Sequence, residues 1–266
     1  MRATPSKLAE KKPGLSPANR SLERGVELLR AFRPGLELLG NAELAERTGL
    51  PRATVTRLAQ TLVGAGMLQA EPGSRAYRLA PAVLSLALAM RSGSSVLAVA
   101  APRMRAVAEA GRINVGLAAP DRDEMVYLES IRYNRRAALR TVVSGQRVPM
   151  ELTSLGRAYL AAAPEARRKT LLAAFKRRKG ADWPALFAQI AQALRSVAEM
   201  GYCAASWQPE VVAVAASFAA GGAHYVLNLS MTTGEPVEAA AARLAPALLQ
   251  LRADILRELE ARAGGI

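Results

Sequence analysis

Apolar positions recur along this chain with two periods, and the change from one to the other marks out its elements. From Ser21, Leu22, Val26, Leu29 and Phe32 repeat at helical spacing and predict a first helix with that stripe turned inward. Asn41 is placed to cap a second helix with Leu44 and Ala45 facing a core, and Gly49 stands where a left-handed residue ends a helix. Past the corner Gly49-Leu50-Pro51, Pro51 opens a third helix at a position where a missing N–H costs nothing. Val55, Leu58, Ala59 and Leu62 share its inner face, and Gly64 and Gly66 end it. Residues 67–70 and 76–79 then read as two short strands around the turn Glu71-Pro72-Gly73-Ser74-Arg75.

Three helices followed by such a hairpin are the pattern of a winged helix-turn-helix, which places duplex DNA among the expected partners. The outer face of the third helix carries Arg52, Thr54, Thr56, Arg57, Gln60 and Thr61, and the hairpin tip carries Arg75. Guanidinium, hydroxyl and amide groups together suit phosphate oxygens and base edges in a major groove. Helix pairs joined at a glycine also occur in proteins that never touch DNA; the hairpin and the upstream helix favour the DNA-binding reading.

Helical spacing resumes over residues 81–90 through Val83, Leu84, Leu86, Ala87, Leu88 and Met90, breaks at Ser92-Gly93-Ser94-Ser95, and returns over residues 96–110. Apolar runs at 113–119 and 125–131 around Pro120-Asp121-Arg122-Asp123 predict a hairpin, with a further strand over 138–143. Residues 153–162, 164–175 and 183–200 read as helices, the last with Asp182 as cap, Pro184 in its first turn and Gly201 as its stop. A second hairpin spans 211–219 and 223–231 around Gly221-Gly222, and an alanine-rich helix runs over 235–263. The class is α+β, with a mainly antiparallel sheet carrying helices on its faces. The division predicted is an arm over 1–19, a winged helix-turn-helix over 20–82, a linker helix over 83–97 and a second domain over 98–266.

Charge sharpens this picture. The 266 residues hold 36 Lys and Arg against 22 Asp and Glu, a formal net charge of +14, which favours a polyanionic partner. The first twenty residues hold Arg2, Lys7, Lys11, Lys12 and Arg20 against Glu10 and have little apolar content, so the arm is expected to be disordered and basic. Two later basic runs, 132–140 with Arg135 and Arg136, and 176–179, are read as solvated ends of elements. Cys203 is the sole cysteine and His224 the sole histidine, so no intrachain disulfide and no zinc cluster can be assembled. No metal or cofactor is called for. The longest apolar stretch, 79–90, is too short to span a bilayer and no secretory signal is evident, so no membrane partner and a reducing cytoplasm are expected.

Several strings then resemble the IclR family of bacterial transcription regulators. SLERGVELLRAF, ELAERTGLPRATVTRLAQTL and YRLAPAVLSLA resemble its opening helix, helix-turn-helix and linker entry; GQRVPMELTSLGRAYLAA and RSVAEMGY resemble its effector-domain strings. The resemblance implies a GAF-like C-terminal effector-binding domain for a small organic molecule, and homodimers or homotetramers on a palindromic double-stranded operator. It places the pocket between the sheet and the corner Thr153-Ser154-Leu155-Gly156, where the amides of a helix start also favour a carboxylate on physical grounds. Ser154, Leu155, Gly156, Ala213, Asn228 and Ser230 are the residues so implied, the last two sharing one strand face. Two features depart from the family pattern: SWQPEVVAVAAS lacks the glycine that relatives carry after an acidic pair, and Trp207 and Glu210 stand in that region.

The expectation is a ligand-responsive regulator sensing a small organic acid, aromatic acids included, and controlling catabolic genes. A nonspecific architectural DNA binder would fit the charge but leave the second domain without a purpose. An enzyme using Ser154 or Cys203 with His224 as base is disfavoured, because neither nucleophile lies in a GxSxG elbow.

Overall fold

A computed structural model describes residues 19–133, 143–208 and 210–264. The chain divides into two compact units between Met90 and Arg91. The first holds α1 (Arg20–Ala31), β1 (Leu39–Gly40), α2 (Asn41–Thr48), α3 (Arg52–Gly64), β2 (Leu68–Ala70) and β3 (Ala76–Leu79), with its strands in the order β1-β3-β2. Leu28, Leu39, Leu44, Val55, Ala59 and Leu68 form its core.

The inward stripe of α1 is not the one the spacing suggested. Leu22 and Val26 are 67% and 43% exposed, whereas Gly25, Leu28 and Ala31 are buried. Both stripes recur at helical intervals, and Leu29 and Phe32 suit either. Gly25 and Ala31 present little side chain, so the helix can approach its neighbours closely along that side. The cap of α2 also differs. Gly40 is the N-cap, its N–H donating to Glu43 Oε2 at 2.8 Å, while Asn41 is already helical and its Oδ1 is buried without a partner among the described residues. Pairing of Gly40 with Ala76 keeps the chain extended up to that residue, so the helix begins directly after it. Gly49 takes the left-handed conformation at the corner, with φ +69°, and Pro51 is the N-cap of α3 rather than its first residue.

α4 (Pro81–Ser92) and α5 (Ser95–Gly111) follow, separated at the serine and glycine run, with Ser94 Oγ accepting the Leu97 N–H at 3.2 Å. Then come β4 (Asn114–Asp121), β5 (Glu124–Ile131), β6 (Arg147–Pro149), α6 (Ser154–Ala162), α7 (Glu165–Lys179), α8 (Trp183–Met200), β7 (Cys203–Gln208), β8 (Val211–Ala220), β9 (Ala223–Thr232) and α9 (Val237–Ala263). The six strands form one antiparallel sheet in the order β6-β5-β4-β9-β8-β7. The short β1 and β6 and the edge strand β7 carry no clear alternation and went unanticipated. The strand expected over 138–143 falls on 134–142, which lie outside the described residues; Val143 is in no strand. Asp182 precedes α8 but makes no side-chain cap, because a 3-10 turn already holds it in helical geometry. α9 starts at Val237, with Pro236 rather than Glu235 at its boundary.

Alternation along the central strands sorts the sheet into two buried faces. Leu227 and Leu229 of β9 join Val115, Leu117, Val214 and Phe218 in an apolar layer against α5 and α9. Val226 points the other way, with Ala118, Met125, Tyr127, Cys203 and Ala215, toward residues of α6, α7 and α8.

Glu210, in the segment where the family glycine is missing, adopts φ +59°, and its carbonyl accepts the Thr233 N–H at 2.8 Å. A side chain there crowds the backbone, at a cost of about 1–2 kcal/mol that glycine avoids. Glu210→Gly should therefore raise unfolding stability by about 0.5–1 kcal/mol in a urea titration, the remainder being offset by the greater freedom of the unfolded glycine. An unchanged or lowered midpoint contradicts this account of the turn.

Candidate functional site

α3 presents Arg52, Arg57 and Gln60 to solvent, with Thr54 and Thr56 half-buried along the same side; Arg75 is exposed at the hairpin tip. These are the side chains anticipated for a nucleic-acid surface, and the fold places them on α3 and in the turn between β2 and β3. The threonines have a restricted chemistry. Thr56 Oγ1 donates to the Arg52 carbonyl and Thr61 Oγ1 to the Arg57 carbonyl, each at 3.0 Å. Their protons are spent within the helix, so outward they only accept, which suits the amino groups of bases better than phosphate oxygens. Arg78, the other wing arginine, is paired with Glu71. A groove of about 640 Å³ in this unit is lined by Val63, Leu68, Pro72, Arg78 and Pro81; its one cation is that paired Arg78.

In the second unit, Asn228 and Ser230 are buried on the sheet face that α6 covers, not exposed. Register places Ala213 beside Ser230, Asn114 on its other side, and Ala205 beyond Ala213. The next row sets Gly116 and Ala215 on either side of Asn228. Small side chains therefore surround a polar patch. A Cβ on Gly116 would lie 2.4 Å from Asn228 Oδ1 and 2.5 Å from Tyr127 Cε1, so only glycine lets these two side chains meet over β4. Asn114 Oδ1 and Asn228 Oδ1 are both buried with no hydrogen-bond partner among the described residues. Unmatched acceptors of this kind each disfavour the folded state by about 1–3 kcal/mol unless something donates to them.

The corner before α6 is held tightly. Thr153, not Ser154, is the capping hydroxyl: it accepts the Gly156 N–H at 3.2 Å and donates to the Pro149 carbonyl at 2.9 Å. One amide of the anticipated anion site is therefore taken. Gly156 packs so closely that a Cβ would sit 2.0 Å from the Met150 carbonyl oxygen. Ser154 and Leu155 are buried, and the Cys203 thiol donates to the Ser154 carbonyl at 3.5 Å. Behind the corner, buried Arg157 donates to the Glu151 carbonyl and to Gln189. The basic run at the end of α7 is not wholly solvated: Arg178 and Lys179 bind Glu151 at 3.0 and 3.5 Å. Trp207 is partly exposed, where the pairing of β7 with β8 shifts register.

Asn114, Gly116, Tyr127 and Ala205 were missed by sequence reasoning. Nothing local flags them, since each is ordinary in its own strand and gains meaning only from its neighbours in the sheet. Burial pushes the Tyr127 phenol up to about 12, with the positive charge of Arg132 and a side-chain hydrogen bond from Asn228 drawing it partway back. Burial likewise pushes the Cys203 thiol up to about 12, against the opposing pull of Arg157.

A helix-turn-helix with a wing, followed by a unit whose sheet buries a polar face beneath a helix, defines the class of a DNA-binding transcriptional regulator with a second, C-terminal domain. Residues 21–72 match the IclR helix-turn-helix domain and residues 89–257 the bacterial transcriptional regulator IclR C-terminal domain. The chain belongs to the IclR family of transcriptional regulators. It is 33% identical to the HTH-type transcriptional regulator TsaQ1/TsaQ2 of Comamonas testosteroni, over 97% of this chain and 94% of that protein. It is 28% identical to the Pca regulon regulatory protein of Pseudomonas putida, over 97% and 90%. The crystal structure of an IclR family transcriptional regulator from Brucella abortus superposes with a TM-score of 0.82 at 33% identity, covering 91% of this chain and 92% of that one.

Because both Tyr127 and Cys203 hold their protons more tightly when folded, unfolding releases protons at alkaline pH. Their contribution to stability is intact below the ordinary values of 9.0 for the thiol and 10.0 for the phenol, and is lost as pH rises toward about 12. Urea midpoints should fall between about pH 9 and pH 12, and Tyr127→Phe should make that fall shallower. An equally steep fall in the variant would mean that the phenol is not held in its neutral form by the fold.

Proposed function

We propose that this regulator is switched by a small organic acid bound on the polar face beneath α6, and that it controls catabolic genes from a palindromic operator. The observation that carries the sensory half is the pair of unsatisfied acceptors on Asn114 and Asn228, set among small residues and beside Ser230. Ser154, Leu155, Gly156, Ala213, Asn228 and Ser230 line or support that site, and the apolar strand β8 receives the carbon skeleton. Arg52, Thr54, Thr56, Arg57, Gln60 and Arg75 face DNA, the arginines toward guanine edges or phosphates. The protein acts in the cytoplasm as a homodimer or homotetramer, since two copies related by a dyad read a palindrome. α4 supports this: Leu84, Leu86, Leu88 and Met90 are all exposed, an apolar surface with reason to be covered.

Arg52→Ala and Arg57→Ala should each weaken operator binding while leaving thermal stability unchanged. A loss of about 1–3 kcal/mol confined to particular base pairs marks a guanine contact, and a uniform loss with a reduced salt slope marks phosphate. Ser154→Leu should abolish ligand response yet retain operator affinity, because the substitution lies in the core of the second unit. Unchanged DNA binding in both arginine variants would refute the recognition surface, and an unaltered ligand response in Ser154→Leu would refute the sensory site.

A further inference from the structure

Arg132 begins a basic run, yet its position differs from that of a solvated arginine. Continuing the β4–β5 register one step beyond Val115 and Ile131 sets Arg132 opposite Asn114, on the face beneath α6. It is half-buried, and burial lowers its proton affinity, Tyr127 being the one titratable group that acts against that. Several other arginines of this unit, most of them part-buried or buried, have acids or carbonyls in place. Arg91 bonds Glu129, Arg103 bonds Glu258, Arg147 bonds Asp121 and Glu124, Arg157 bonds Gln189 and the Glu151 carbonyl, and Arg178 bonds Asp123 and Glu151. Among the described residues, no carboxylate is paired with Arg132. A guanidinium drawn out of water without a counterion is a site for an anion.

The neighbouring groups narrow the anion's chemistry. Asn114 Oδ1 and Asn228 Oδ1 are acceptors, and a carboxylate has no proton to give them. Taken alone they would suit either a cation or a hydrogen-bond donor, but Arg132 beside them excludes the cation. We propose that Arg132 is the anion anchor of the sensory site and that the ligand is a hydroxy acid, its acid group on the guanidinium and its hydroxyl donating to Asn114 or Asn228. Asn114, directly opposite on the neighbouring strand, stands about 5 Å from Arg132, within reach of a short hydroxy acid, whereas Asn228, two strands away across β4, lies about 10 Å or more off and is reached only by a ring-sized one. The proposal rests on the reading of this face as the effector site, and assigns its polarity.

The test is calorimetry on the full chain with matched pairs: the hydroxybenzoate isomers against the methylbenzoate isomers of the same shape, and lactate against propionate. At least one hydroxy acid should bind about tenfold or more tightly than its partner, the loss expected when a buried acceptor is left unmatched. Arg132→Gln should weaken that ligand about tenfold or more, with part regained in Arg132→Lys, and the ligand-free melting temperature should not move, since the side chain is half-exposed. Asn114→Leu should erase the preference for the hydroxyl without abolishing binding of the acid. Equal affinity within every pair, or binding indifferent to Arg132→Gln, overturns the assignment while leaving an acid-sensing site in place. Binding of none of the probes overturns it together with the reading beneath it.

Discussion

The alternation of side chains along β4, β8 and β9 is the constraint from which the second unit follows. The central residues of these strands are covered on both sides, so there neither parity is free to be merely solvated. One parity is given to Val115, Leu117, Val214, Leu227 and Leu229, and these weld the sheet to α5 and α9. The opposite parity is filled at one end by Ala118, Ala215 and Val226, and at the other by Asn114, Gly116, Ala213, Asn228 and Ser230. A one-residue slip would drive leucines into the polar patch and amides into the core, so the chemistry of the site and the stability of the unit are set by the same register. The tight seat of Gly156 on the Met150 backbone fixes the start of α6 against this face.

That logic also explains what could be read from the sequence and what could not. Elements bounded by strong punctuation were legible: Gly49 and Pro51 at the corner, the serine and glycine break before α5, Gly201 after α8, and Gly221-Gly222 between β8 and β9. Choice of face was less so. In α1 two apolar stripes coexist, and only packing decides that Gly25 and Leu28 enter while Leu22 and Val26 do not. Asn228 and Ser230 were identifiable through a family resemblance. Asn114, Tyr127 and Arg132 join them through strand pairing across distant segments, which leaves no trace in local periodicity. The cap of α2 failed for a related reason, since pairing of Gly40 with Ala76 in the sheet displaced the favourable local choice of Asn41.

The two units use polar groups in opposite ways. On α3 the threonine protons are consumed within the helix and the arginines are left to solvent, so the surface stays hydrated until a groove replaces that water. Beneath α6 the polar groups are withdrawn from water. On the proposed reading that face is preorganised, and its unsatisfied acceptors are part of the difference between empty and filled states that a sensor needs.

For that difference to matter beyond the site, it has to reach the helix that leads toward the DNA-binding unit. β5 is the strand that meets both. Tyr127 lies on its polar face against Asn228 and Gly116. Immediately after it the pairing with β4 slips, so that Leu117 opposes Glu129 and Leu128 is left over. The Leu128 carbonyl accepts from Arg91 near the end of α4, and the Glu129 carboxylate binds the same guanidinium at 2.7 Å. A bulged strand can take up a small shift by changing its twist, where a regular ladder would resist it. Coupling through a packed structure requires an element with two available arrangements. Within the second unit, β5 places such an irregularity between the polar face and its contacts with Arg91.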